Sequence, residues 1–130
     1  MAQIKHIAIR TRNVDQTAAF YKDAFGLTQV GTGKNGVYLT DGHLNIAILK
    51  YQQSEDGEPL RLGVDHIGFQ VEDLDSALAR VESLRGIALS ERTEVSPKDA
   101  AERQSYYEIK CIGPDEQVID ISTVGWIGAK

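Results

Sequence analysis

Residues 64–75 read VDHIGFQVEDLD, and residues 4–15 read IKHIAIRTRNVD. Moved back by 60 places, the second string lies on the first without a gap. Ile4 falls on Val64, His6 on His66, Ile7 on Ile67, Ala8 on Gly68, Val14 on Leu74 and Asp15 on Asp75. The match continues through Ala19 and Ala79 to Gly26 and Gly86. Two copies of one unit therefore make up the chain, and two copies are too few for a solenoid.

Each copy opens on an alternating run, the mark of a half-buried strand. Ile7 and Ile9 share one face, with His6, Ala8 and Arg10 on the other; Ile67, Phe69 and Val71 oppose His66, Gly68 and Gln70. A helical stripe follows in both: Val14, Ala18, Tyr21, Phe25, then Leu74, Ala77, Leu78, Val81, Leu84. Asn13 or Asp15, and Asp73 or Asp75, are the expected N-caps. Gly26 and Gly86 are the expected helix stops, where a left-handed residue suits glycine. Strands are then expected at Thr28–Val30, Val37–Thr40 and Leu44–Tyr51, and again at Ala88–Glu91, Ser105–Ile112 and Val118–Ser122. The pattern is βαβββ twice, an α+β fold with a first module at 1–52, a polar connector at 53–63 and a second module at 64–130. In each, the helix stripe packs on one strand face, and the face carrying the histidine is left to curve around something else.

The last strand supplies a third polar group. In EQVIDIST, Ile119 and Ile121 point one way, while Val118, Asp120 and Ser122 point the other. A carboxylate in such a strand is costly to bury unless a cation or hydrogen-bond donors meet it. Two imidazoles and a carboxylate suit a divalent metal such as Fe, Mn, Zn, Ni or Co. Ala8 and Gly68 are small on the same face and would leave room for a ligand above such an ion.

The bulk properties exclude several classes. The chain has 130 residues and a net charge of −5, which disfavours a nucleic-acid partner. No apolar run approaches the roughly 18 residues that span a bilayer. The start MAQIKHIAIR lacks an apolar leader, and Cys111 is alone, so a cytoplasmic protein without disulfides is expected.

With these pieces in place, KHIAIRTRNVDQTAAFYKDAFGL, VDHIGFQVEDLDSALARVESL and YYEIKCIGPDEQVIDIS together resemble the vicinal oxygen chelate superfamily. It includes glyoxalase, methylmalonyl-CoA epimerase, extradiol dioxygenases and the bleomycin and fosfomycin resistance proteins. The resemblance spans essentially the whole chain. It implies a U-shaped mixed sheet around a metal held by His6, His66 and Asp120. Asp120 stands where the family usually has Glu, so either the strand comes closer or a water bridges. A further family ligand late in the first module maps to Ile48, which cannot coordinate; His43 and Asn45 lie nearby, His43 in a turn. A set of two His and one carboxylate resembles the extradiol dioxygenases, with Fe(II) or Mn(II) favoured over Zn, Ni or Co. A glyoxalase- or epimerase-like isomerase or lyase is the alternative, with Asp120 or Glu108 as base. A non-catalytic small-molecule binding or resistance protein is the other.

Tyr106, on the strand face of Glu108 and Lys110, and Glu108 itself are the candidate catalytic residues. The polar stretch 91–105 is either a lid offering Lys98 or Arg103 to an anionic substrate group or a solvated loop. Trp126 is expected at an edge or subunit contact, and Cys111 as a buried hydrophobe. A homodimer is expected, and the short connector favours modules that pair between chains.

Overall fold

The computed structural model describes residues 1–52, 61–93 and 108–130. It contains β1 (Gln3–Thr11), α1 (Val14–Phe25), β2 (Thr28–Gly33), β3 (Gly36–Thr40) and β4 (Asn45–Lys50). The second half repeats the order with β5 (Gly63–Gln70), α2 (Leu74–Ser83), β6 (Ile87–Thr93), β7 (Glu108–Ile112) and β8 (Val118–Ser122). All eight strands join one open, curled sheet in the order β2-β3-β4-β1-β5-β8-β7-β6. The β1–β4 and β5–β8 pairs are parallel and the rest antiparallel, so the sheet is mixed. The two halves meet at β1 and β5 within a single chain. This differs from the exchange between chains that the short connector favoured.

Local chemistry sets the helix ends. Asn13 has an extended backbone, and its Oδ1 accepts from the Gln16 N–H at 2.9 Å. Asp73 does the same for Ser76. Gly26 closes α1 in the left-handed region at φ 71°. In the second half the left-handed residue is Arg85, also at φ 71°, and not Gly86. Gly86 is there for space: a Cβ would lie 2.5 Å from Val81 Cγ1.

Two apolar cores lie on the helix side of the sheet. Ala18, Leu39 and Ile48 are buried with Ile9, Val14, Tyr21 and Ile46 around them. Leu74, Ile109, Cys111 and Ile121 are buried with Ala77, Leu78, Val81 and Ile119. Phe25 and Leu84, the last members of the two expected stripes, are exposed because each sits where its helix ends. Burial pushes the Cys111 thiol above its ordinary range, in keeping with an inert core residue.

The opposite, concave face takes the alternate residues. His6 and Ala8 are buried on it in β1, and His66 and Gly68 in β5. The β1–β5 register slips twice. Ile4 pairs with Phe69 and His6 with Gly68, leaving Lys5 as an extra residue; Ala8 pairs with His66 and Ile9 with Val64, leaving Asp65 extra. Each bulge thus immediately precedes a histidine, a place where such insertions re-aim side chains.

Candidate metal centre

The bulges and the antiparallel pairing bring the two histidines together at the middle of the sheet. Their Nε2 atoms are 3.2 Å apart. Beside β5, Asp120 of β8 pairs with Gly68, and its Oδ2 lies 3.1 Å from His66 Nε2. The three ligating atoms all fall within 4.8 Å of one another, and all three residues are buried. Neighbouring ligands on an ion with bonds of about 2.1 Å sit roughly 3 Å apart, which both short separations match. β8 lies directly against β5, which sets the shorter acid beside His66.

Partners on the far side of each ring fix which nitrogen faces inward. His6 Nδ1 is 2.7 Å from Asn45 Oδ1, and His66 Nδ1 is 2.9 Å from Asp65 Oδ2. Asn45 Nδ2 donates to the Ile127 carbonyl at 2.9 Å, which settles that amide's orientation. Arg10 Nε in turn holds Asp65 Oδ2 at 3.3 Å. A neutral ring therefore donates from Nδ1 and presents a lone pair at Nε2. Two such lone pairs and a carboxylate oxygen then converge, an arrangement that repels itself unless a cation lies between them. Asp120 Oδ2 is buried with no hydrogen-bond partner among the described residues, although His66 Nε2 stands 3.1 Å from it as an ion pair when that ring is charged. These residues fit a divalent ion, with the outer hydrogen bonds that metal-bound histidines commonly keep.

The electrostatics divide the pair. Burial pushes His6 down to about 4. Burial also opposes charge on His66, but Asp120 and Asp65 outweigh it and raise that ring to about 8. Asp120 is pushed up by burial and pulled down more strongly by His66 and Lys110, to about 2. Lys110 Nζ donates to its other oxygen, Oδ1, at 2.7 Å. A proton on His66 is thus favoured by the two carboxylates beside it.

Glu108, one turn of the pleat from Lys110, shares the concave face. Burial and the Asp120 charge push its carboxyl up to about 7, and it accepts from Trp126 Nε1 at 3.3 Å. Tyr106 lies outside the described residues, as do Lys98 and Arg103; the 91–93 part of the expected loop is the end of β6. His43 is exposed in its turn, where its N–H donates to Asp41 Oδ1, and it takes no part in the cluster. Ile48 faces the α1 core, so it is not the place that matches a ligand. The β1–β4 and β5–β8 registers identify that place. Ala8 pairs with Ala47 as Gly68 pairs with Asp120, so Ala47 is the counterpart of Asp120.

Residues 3–105 match the Glyoxalase/Bleomycin resistance protein/Dioxygenase superfamily. The chain belongs to that superfamily. Among proteins with curated functions, none matches by sequence. Solved structures share its fold at low identity. A hypothetical protein from Bacillus halodurans is 15% identical over 93% of each chain, with a TM-score of 0.66. The methylmalonyl-CoA epimerase of Mycobacterium tuberculosis is 15% identical over 92% of this chain and 85% of its own, with a TM-score of 0.65. The 2,3-dioxygenase LapB from a Pseudomonas species is 20% identical over 92% of this chain, with a TM-score of 0.68. The chain spans only 40% of that dioxygenase.

Sequence reasoning missed four residues of the site. Trp126, expected at an edge or subunit contact, is buried with its ring stacked on His6 at a 4.8 Å centroid separation. Asn45 and Asp65 orient the histidines, and Lys110 holds Asp120. Asn45 had a usable signal, since Asn45 and Ala47 alternate with core-facing Ile46 and Ile48. Asp65 had none, because strict alternation puts it on the face opposite His66.

Proposed function

We propose that this protein is a metal-dependent enzyme acting on a small, vicinally oxygenated compound in the manner of an extradiol dioxygenase. His6, His66 and Asp120 hold the ion, with Fe(II) or Mn(II) favoured over Zn, Ni or Co. The observation that carries this reading is the ligand count: three convergent donors, one with an unpartnered oxygen, and an alanine at the symmetric fourth place. A divalent ion held there would supply Lewis acidity toward adjacent substrate oxygens and, as Fe(II), a redox relay through which the substrate's own electrons reach dioxygen. Asp65 and Asn45 keep both Nε2 atoms inward, and Lys110 leaves Asp120 one free oxygen. Glu108 takes a proton from a substrate hydroxyl and returns it, a task suited to a carboxyl poised near neutrality. Tyr106, two places before Glu108 in the sequence, is assigned to assist it.

Glu108 also favours a second reading, proton transfer at carbon by a glyoxalase- or epimerase-like isomerase or lyase. A binding or resistance protein without chemistry is the third. We assign the protein to the cytoplasm as a homodimer; among the described residues, no helix is long and apolar enough to cross a membrane.

The test loads the protein anaerobically with Fe(II) and follows oxygen uptake over a panel of catechols. Uptake coupled to ring cleavage supports the dioxygenase. Isomerisation of a hemithioacetal or epimerisation of a 2-substituted acyl thioester, with no oxygen uptake, replaces it with the second reading. Tight ligand binding with neither activity leaves the third.

A further inference from the structure

After β8 the chain does not leave the molecule. Ser122 Oγ accepts from the N–H groups of Val124 and Gly125 at 3.2 and 3.1 Å and turns the backbone over the sheet. Trp126 then drops onto the concave face. Its indole is parallel to the His6 ring within 3°. It rests on Gly68, where a Cβ would stand 2.7 Å from two indole carbons. The space that Gly68 leaves on this face is therefore taken by the protein itself. Beyond it, the Ile127 carbonyl accepts from Asn45 Nδ2, the Gly128 carbonyl from Thr40 Oγ1 at 2.9 Å, and the Lys130 carbonyl from Lys5 Nζ at 2.7 Å. Residues 123–130 thus form a strap that crosses from β8 over β5, β1 and β4 to β3.

We propose that this strap is a working part of the metal centre, and that Trp126 is the positioning residue that holds the ligand His6 in register. This rests on the assignment of His6, His66 and Asp120 as metal ligands. One hydrogen bond at Nδ1 fixes the distance of the His6 ring but not its tilt. The indole supplies a flat wall against one face and removes that freedom. Asn45 ties the same two parts together, with Oδ1 on His6 and Nδ2 on the strap. His6 is therefore held by the C-terminal segment twice, once directly and once through Asn45. His66 has a separate support, through Asp65 and Arg10. The Trp126 hydrogen bond to Glu108 links the strap to the other wall of the cleft.

The chain has a single tryptophan, which makes the strap its own reporter. The metal-free protein is titrated with Co(II), with affinity read by calorimetry, the ligand field by the visible d–d band, and Trp126 by fluorescence. Stoichiometric quenching is expected as Co(II) binds, and its loss in His66→Ala. Trp126→Ala should bind Co(II) about 10–100-fold more weakly with a shifted band, the range seen when a support behind a metal ligand is removed. Trp126→Phe, which keeps a flat ring on His6, should stay within about 3-fold of the native affinity. Native-like affinity and band in Trp126→Ala overturn the inference. So does Co(II) binding to the native chain without quenching, a measurement that needs no variant to fold. Failure of the native chain to bind Co(II) at all removes the three-ligand reading and the inference together.

Discussion

The two halves share a strand, a helix cap and a histidine, yet they meet the candidate metal centre on unequal terms. The first half contributes His6 alone, steadied by the neutral amide of Asn45. The second contributes His66 and Asp120, steadied by the carboxylate of Asp65. At the one place where a fourth ligand belongs by symmetry, the first half has Ala47. The bulged residue ahead of the histidine is a lysine in the first half and an aspartate in the second. The repeat accounts for the scaffold and the histidine pair; the differences between the halves place an acid on one side of the site and an alanine on the other.

That inequality can be attacked directly. His66→Ala removes the ligand shared by both short contacts, and stoichiometric metal should be lost altogether when content is measured after gentle purification. Retained metal at one ion per chain would refute the assignment. Restoring the symmetry should do the reverse. Ala47→Glu places an acid opposite Asp120, at a site with no spare room, so the metal-free protein should lose about 1–3 kcal/mol. Metal should bind at least about tenfold more tightly through the added carboxylate, and thermal unfolding with and without Co(II) separates the two effects.

The two histidines should also pull the metal-free stability in opposite directions. His6 is depressed, so an unfolded chain binds the proton more readily, and its contribution rises with pH from about 4 to 6.5. His66 is raised, so its contribution is present in full below 6.5 and is lost as pH rises to about 8, a change of about 2 kcal/mol. Denaturant unfolding across pH 6.5–8 should show that fall in the native protein and lack it in His66→Gln. The smallest difference lies at the helix ends. Arg85→Gly should stabilise the protein by about 0.5 kcal/mol, since glycine escapes the left-handed penalty at some entropic cost. Gly26→Ala, at the same φ, should destabilise it by about 1 kcal/mol.

Much of this was legible in the residues. The 60-place repeat, read through alternation and helical spacing, led to two βαβββ units and to a face bearing His6, His66 and Asp120. The structure sets those three side chains on one face, with their ligating atoms within 4.8 Å of one another. The expectations that fail are those not drawn from strand parity. Ile48 was matched to a ligand place by counting along the chain, whereas its parity sends it into the α1 core. Gly86 looked like a helix stop, but the turn takes Arg85 as its left-handed residue and needs Gly86 for contact with Val81.

Side-chain parity along a strand is local, so the amino-acid order alone was enough to name two imidazoles and one acid for the same surface. The supports of those groups are not local. Asp65 reaches His66 through a bulge that exists only once β1 has paired with β5, and Asn45 meets His6 through the parallel register of β4. Trp126 arrives from a tail 120 residues beyond the histidine it covers. Contacts of that kind depend on strand register and chain reversal, which are set by packing among distant segments and leave no periodic trace in any one of them.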